Sequence, residues 1–180
     1  LLMIRKNYCL AFLLLLAIMA KSQTAIYDRL PVGKYAVGFK IFTITDDSRL
    51  IRPEYNYLGE KNEDDRLWKV TVHLWYPAQA NSGKGRHSYA DYCYNNLLKS
   101  TSENLDKAVV QGVLNDKRRG TENWFGKTTD EAWKKLTATN LLAEADASPL
   151  KEKFPLLVGT LRPLSTTITN EMLASNGYVV

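Results

Sequence analysis

Phe154-Pro155-Leu156-Leu157-Val158, Gly159-Thr160-Leu161-Arg162-Pro163-Leu164-Ser165-Thr166-Thr167, Ile168-Thr169-Asn170-Glu171-Met172-Leu173-Ala174-Ser175 and Asn176-Gly177-Tyr178-Val179-Val180 form one continuous stretch, and its reading decides the fold. Leu156 to Val158 is an unbroken apolar run, the pattern of a strand buried on both faces of a parallel sheet. A loop containing Gly159 and Pro163 follows. Thr166 or Thr167 is suited to cap a helix, because a short hydroxyl accepts a bond from an otherwise unpaired backbone N–H. Ile168, Met172 and Leu173 supply an apolar stripe at i, i+4 and i+5. Asn176-Gly177 offers a residue tolerant of positive φ, where helices commonly stop. Tyr178-Val179-Val180 opens a second apolar strand, so strand, loop, helix and strand make one βαβ crossover. Val180 carries no turn signal or charged tail after it, so the chain is expected to be the N-terminal part of a longer protein.

Upstream, the strongest strand is Leu67 to Tyr76. Val70, Val72, Leu74 and Tyr76 share one face, Thr71, His73 and Trp75 the other, and Pro77 is expected to end it. Phe39 to Thr45 alternates in the same way and is expected to stop at Asp46-Asp47-Ser48. The polar residues 53–66 between them read as a hairpin loop, giving an antiparallel pair at the head of the sheet. Ala80 to Arg86 is a Ser/Gly/Lys loop, and from Tyr89 to Leu142 the signals turn helical. Tyr92, Leu97 and Leu98 fit one short helix. Leu105, Val109 and Val113 mark a second over Ser102 to Leu114, and the capping box Thr128 to Glu131 opens a third over Asp130 to Leu142. The fold class is therefore α/β, an antiparallel hairpin then a parallel βαβ, with a helical insertion at about 89–142.

The N-terminus has a different character. Arg5 and Lys6 precede an apolar run from Cys9 to Ala20, too short to span a bilayer comfortably. Ala20 and Ser22 place small residues before Gln23, with Ala25 a second cleavage position. Residues 1–22 read as a secretory signal peptide, the alternative being an uncleaved anchor. The expected mature domain is 23–180, secreted or periplasmic, with no stable membrane span. The formal charge of +5 falls to about +2 without those residues, because they hold three basic residues and no acid. Lys117-Arg118-Arg119 is the only dense basic cluster and reads as a solvated loop rather than a nucleic-acid patch. After cleavage Cys93 is the one remaining cysteine, either a buried thiol or the partner of a cysteine beyond Val180.

Taken in order, several segments resemble a known family. They are Pro31-Val32-Gly33-Lys34-Tyr35-Ala36-Val37-Gly38, Thr45-Asp46, Val72-His73-Leu74-Trp75-Tyr76-Pro77-Ala78, Tyr89-Ala90-Asp91-Tyr92, Phe154 to Val158, and Leu173 to Val180. Together they resemble the N-terminal part of platelet-activating-factor acetylhydrolase of the isoform II type, an α/β-hydrolase close to the dienelactone-hydrolase-like group. The match covers most of residues 30–180 and is weakest across 95–145.

The resemblance implies an exported carboxylesterase or lipase-like serine hydrolase. It would act on a small-molecule or lipid ester with no metal and no organic cofactor. Its nucleophile sits in a Gly-x-Ser-x-Gly elbow, followed by an Asp and a His. No such motif occurs in this sequence, so the triad is expected beyond Val180 and this chain alone is expected to be inactive. The resemblance also implies that the loop after Leu156–Val158 supplies an oxyanion-hole donor, from Leu161, Arg162 or Leu164. Pro163 has no N–H, and one lost donor costs roughly 3–4 kcal/mol.

Other candidates weigh less. His73 and His87 with Cys93 match no zinc spacing. Asp46-Asp47 and Glu63-Asp64-Asp65 read as solvated turns. Ser82 lies in a flexible Gly/Lys loop and Ser175 at a helix end, neither neighbouring a His. Trp68, Trp75, Trp124 and Trp133 read as core and cap packing, although Trp124-Phe125, in a loop between helices, is the pair suited to an apolar substrate or a lipid surface. The competing function is an exported, non-catalytic binding or structural domain of hydrolase ancestry, which the Arg162-Pro163 pair favours.

Overall fold

The computed structural model describes residues 25–27, 29–63, 66–159 and 165–180. The chain divides into two compact units, residues 1–30 and residues 31–180. In the first, a short 3-10 turn over Ala25–Tyr27 closes with Leu30 N–H on the Tyr27 carbonyl at 2.9 Å. The signal-peptide expectation for 1–22 lies outside the described residues.

The second unit is α/β. Its elements are β1 (Ala36–Leu50), β2 (Leu67–Ala78), β3 (Arg86–Ser88), α1 (Tyr89–Tyr94), α2 (Lys107–Phe125), α3 (Asp130–Thr137), β4 (Asn140–Ala145) and α4 (Ser165–Ser175). A mixed four-stranded sheet runs in the order β2-β1-β4-β3. β1 and β2 form the expected antiparallel hairpin, with Phe39 opposite Trp75 and Val37 opposite Pro77. β4 lies parallel to β1, with Val37 opposite Ala143.

On the outer edge of β2, Trp75 and Val180 exchange two backbone hydrogen bonds of 2.9 Å. Val179 in turn bridges Leu156 in parallel, through Leu157 N–H on the Val179 carbonyl at 2.8 Å and Val179 N–H on the Pro155 carbonyl at 2.9 Å. The βαβ unit of 155–180 is thus docked on the hairpin. Its helix ends as the Asn-Gly pair dictates. Gly177 has φ 93°, its N–H reaches the Ala174 carbonyl, and Tyr178 N–H reaches that of Leu173, both at 3.1 Å.

Several expectations are corrected. Leu156, Leu157 and Val158 are 63%, 40% and 88% exposed rather than buried on both faces, because among the described residues the segment pairs only on the Val179 side. The helix expected over Asp130 to Leu142 stops at Thr137, and its last residues, Asn140 to Leu142, open a strand that runs to Ala145. Leu141 and Ala143 alternate into the core, and β1 supplies a ladder that outweighs the helix propensity of Leu, Ala and Glu. The capping residue is Thr129, whose hydroxyl accepts from Ala132 N–H at 3.2 Å.

The helix expected over Ser102–Leu114 runs over Lys107–Phe125 instead, started by the Asp106 carboxylate accepting from Ala108 N–H at 2.7 Å. Lys117-Arg118-Arg119 therefore lies in a helix, not a loop. Arg118 bonds Glu122 at 2.9 Å and reaches Asp130 at 2.6 Å, clamping α2 to α3. β1 continues through Asp46-Asp47-Ser48 to Leu50, and β2 accommodates Pro77. β3 was not anticipated.

Burial follows the near half of the hairpin. Val37, Phe39, Ile41 and Trp75 are buried on one sheet face, where Tyr92 of α1 packs on Phe39 and Trp75. Phe39 meets Trp75 at 4.8 Å and Tyr92 edge-on at 5.3 Å between ring centroids. Offset and edge-on ring pairs of this kind add to the area buried. The far half projects outward, leaving Trp68, Val70 and Ile44 exposed. Of the four tryptophans only Trp75 and Trp133 are core.

Candidate functional site

The oxyanion-loop residues Leu161, Arg162, Pro163 and Leu164 lie outside the described residues. Trp124 and Phe125 occupy the last turn of α2, 85% and 87% exposed, rather than a loop between helices. Gly126 follows at φ 88°, its N–H closing on the Glu122 carbonyl at 3.0 Å.

The remaining candidates are held apart. Ser175 Oγ accepts from Gly33 N–H at 2.9 Å and donates to the Met172 carbonyl at 2.7 Å. Ser82 Oγ donates to the Gln79 carbonyl at 2.6 Å and accepts from Ser148 N–H at 2.9 Å. Among the described residues neither hydroxyl reaches an imidazole, and no group of three His, Cys, Asp or Glu could hold a metal. His73 is half-buried, edge-on to Phe39 at 5.8 Å, and burial holds its pKa below the ordinary histidine value. Asp46 accepts bonds from Ser48 Oγ at 2.5 Å and Arg49 Nε at 2.6 Å, which lower its pKa to about 2. It is a half-buried residue of β1, not a solvated turn, and its carboxylate holds its own neighbours rather than forming half of an acid/base pair.

Cys93 is 1% exposed and unbridged. Its thiol donates to the Tyr89 carbonyl at 3.4 Å, and burial pushes its pKa up to about 11. A buried thiol held that far from ionisation is a poor nucleophile near neutral pH.

The most organised polar group in the core is one the periodicity concealed. α4 does not bury Ile168, Met172 and Leu173, which are half-buried; it buries Thr167, Glu171 and Ala174. Glu171 is 0% exposed. Its Oε1 accepts from Tyr92 Oη at 2.7 Å and from Ala143 N–H at 3.1 Å, and its Oε2 accepts from Leu142 N–H at 3.0 Å. Tyr92 Oη also accepts from Trp75 Nε1 at 3.1 Å.

One carboxylate therefore joins β2, α1, β4 and α4. Burying a charge is expensive unless donors surround it, and here they do. So saturated a carboxylate is a strut rather than a proton acceptor for substrate. One signal in the sequence pointed to it: Glu171 is the only charged residue between Ser165 and Val180, in an otherwise uncharged helix.

No family model matches the chain, and no curated protein matches it.

Proposed function

We propose that this chain is the N-terminal part of an exported serine ester hydrolase of the α/β-hydrolase type. The observation that carries this is the seating of Val180 on Trp75 with Val179 beside Leu156. It puts an antiparallel hairpin and a parallel βαβ unit in one sheet, the arrangement that the resemblance implies for the head of a hydrolase sheet. The segments that carry the resemblance fall on this frame: Val72 to Ala78 in β2, Leu173 to Gly177 at the end of α4, and Tyr178 to Val180 on β2's outer edge.

The exposed run Leu156–Val158 supports the same reading. Further parallel strands would bury it, whereas a bare apolar edge invites aggregation.

In the complete enzyme a serine on a strand-to-helix turn attacks the ester carbonyl, and an adjacent histidine takes its proton and later returns it to the leaving alcohol. A backbone N–H of Leu161, Arg162 or Leu164 stabilises the oxyanion. Water then hydrolyses the acyl-enzyme. Trp124 and Phe125 would hold the apolar part of the substrate or a lipid surface. This chain supplies frame and oxyanion donor, not the nucleophile.

The test is labelling of the full gene product, purified from its natural source, with a fluorophosphonate probe and peptide mapping. The expected product starts at Gln23 or Ala25, contains peptides of this sequence, and carries the label on a serine of a Gly-x-Ser-x-Gly motif C-terminal to Val180. The isolated chain should hydrolyse p-nitrophenyl acetate no faster than blank. A mature, unlabelled product ending at Val180 would instead establish the non-catalytic domain.

A further inference from the structure

β1 and β2 run on past the core as a two-stranded arm with two unlike faces. Their register sets Phe42 opposite Val72, Ile44 opposite Val70 and Asp46 opposite Trp68. Residues two apart on a strand share a face, so the apolar members of these pairs form one strip. The reverse face carries Thr43 opposite Thr71, their hydroxyls 3.4 Å apart, and Thr45 opposite Lys69.

The apolar strip is the face left open. Phe42 and Val72 are half-buried, while Ile44, Trp68 and Val70 are 50%, 43% and 39% exposed. A two-stranded ribbon is marginal in water unless its apolar face meets another layer.

Two charges indicate what that layer is. Lys40 and Asp46 lie on the same face as Phe42 and Ile44, one at each end of the strip. At about 3.3 Å per residue they stand about 20 Å apart along β1, too far to meet within one copy. Lys40 is exposed, and Asp146, a carboxylate it acts on through space, is already tied to Lys84 at 2.9 Å. Asp46 accepts from Ser48 N–H at 3.0 Å, Ser48 Oγ at 2.5 Å and Arg49 Nε at 2.6 Å. A carboxylate has about four acceptor sites, so it has room for one more donor.

A second copy laid face to face with its strands reversed supplies both complements. The two-fold axis then passes level with Thr43, carrying Lys40 over the partner's Asp46 and Phe42 over the partner's Ile44. The other two-fold stacking, with strands in the same direction, sets Lys40 on the partner's Leu74 and Asp46 on the partner's Trp68. That would bury both charges unpaired, which is costly. The opposite signs at the two ends also give an anionic lipid surface no advantage.

We propose that the β1–β2 arm is a homodimer interface, in which two copies stack the strips formed by Phe42, Ile44, Val70 and Val72 with their strands reversed. The contact is short, at the low end of specific interfaces, so the dimer is reversible. It does not depend on ester hydrolysis.

Sedimentation velocity of the full-length protein across micromolar concentrations tests this. A monomer–dimer equilibrium is expected, with a dissociation constant that rises with salt. Ile44→Asp, at an exposed position, should weaken the dimer about tenfold or more. Lys40→Glu, which sets like charges opposite each other, should weaken it about tenfold. Lys40→Glu combined with Asp46→Lys restores opposite signs and should recover most of the affinity. The charge variants remain as a measurement should Ile44→Asp fail to fold. A monomer at every concentration, meaning that another part of the protein or a different partner covers the strip, overturns the proposal. So does a dimer that neither single variant weakens, or one that Ile44→Asp weakens and Lys40→Glu does not.

Discussion

Tyr92 Oη donates to Glu171 Oε1 at 2.7 Å across 79 positions of sequence, joining α1 to α4 in the centre of the fold. Replacing Tyr92 with Phe strands the Trp75 indole N–H and takes a donor from a buried carboxylate. Each unsatisfied group costs about 1–3 kcal/mol, so Tyr92→Phe should lose about that much. Glu171→Ala, which leaves Leu142 and Ala143 N–H without this acceptor, should lose about 2–4 kcal/mol on the same scale. Urea midpoints at constant m check both; a Glu171→Ala midpoint equal to the parent's would mean the network contributes nothing.

Gly33 sits against the end of α4, where an added Cβ would fall 2.0 Å from the Ser175 carbonyl oxygen. Backbone cannot yield as a flexible side chain does, so Gly33→Ala should destabilise by about 3 kcal/mol. Gly112, within α2, has nothing within 4 Å of its Cβ position. Gly112→Ala should stabilise by about 0.5–1 kcal/mol through helix propensity. Opposite shifts in thermal midpoint are the expected outcome.

Burial lowers the pKa of His87 despite Asp91 and Asp146 pulling the other way, and burial lowers that of His73. The unfolded chain takes up protons near pH 6.5, while the folded imidazoles resist them. Stability is therefore fully present above that value and declines as pH falls below it toward the folded values. Denaturant titrations between about pH 7.5 and pH 5 should show the decline, and His87→Phe should flatten it. A profile unchanged by His87→Phe would rule out this buried imidazole as its source.

Cys93, with its pKa pushed up to about 11, should resist iodoacetamide at pH 8 in the folded protein and react readily in urea. Peptide-resolved mass spectrometry checks this separately from Cys9. Equal labelling in both states would mean that α1 opens freely.

The hairpin, the Gly177 helix stop and the parallel placement of the last two apolar segments were legible, because each rests on local chemistry: alternation of apolar residues, tolerance of positive φ, and a short βαβ spacing. β4 was not. Asn140-Leu141-Leu142-Ala143-Glu144-Ala145 has helix-forming composition and becomes a strand only because β1 offers a parallel ladder more than ninety residues upstream. Trp124 and Phe125 were legible as a pair but not as the end of a helix, since the apolar spacing marks a helix only as far as Leu114 whereas α2 runs on to Phe125.

By itself, then, the order of residues determined the hairpin, the crossover and where α4 stops, all of which depend on neighbours along the chain. Only the tertiary structure decided which side of α4 faces inward. There a carboxylate went into the core in place of Ile168 and Met172, because Tyr92 and the N–H groups of Leu142 and Ala143 converge from distant segments to satisfy its charge. It likewise decided that His87 and Asn95 would be buried, since no spacing along the chain encodes which polar side chains are covered once the helices have packed.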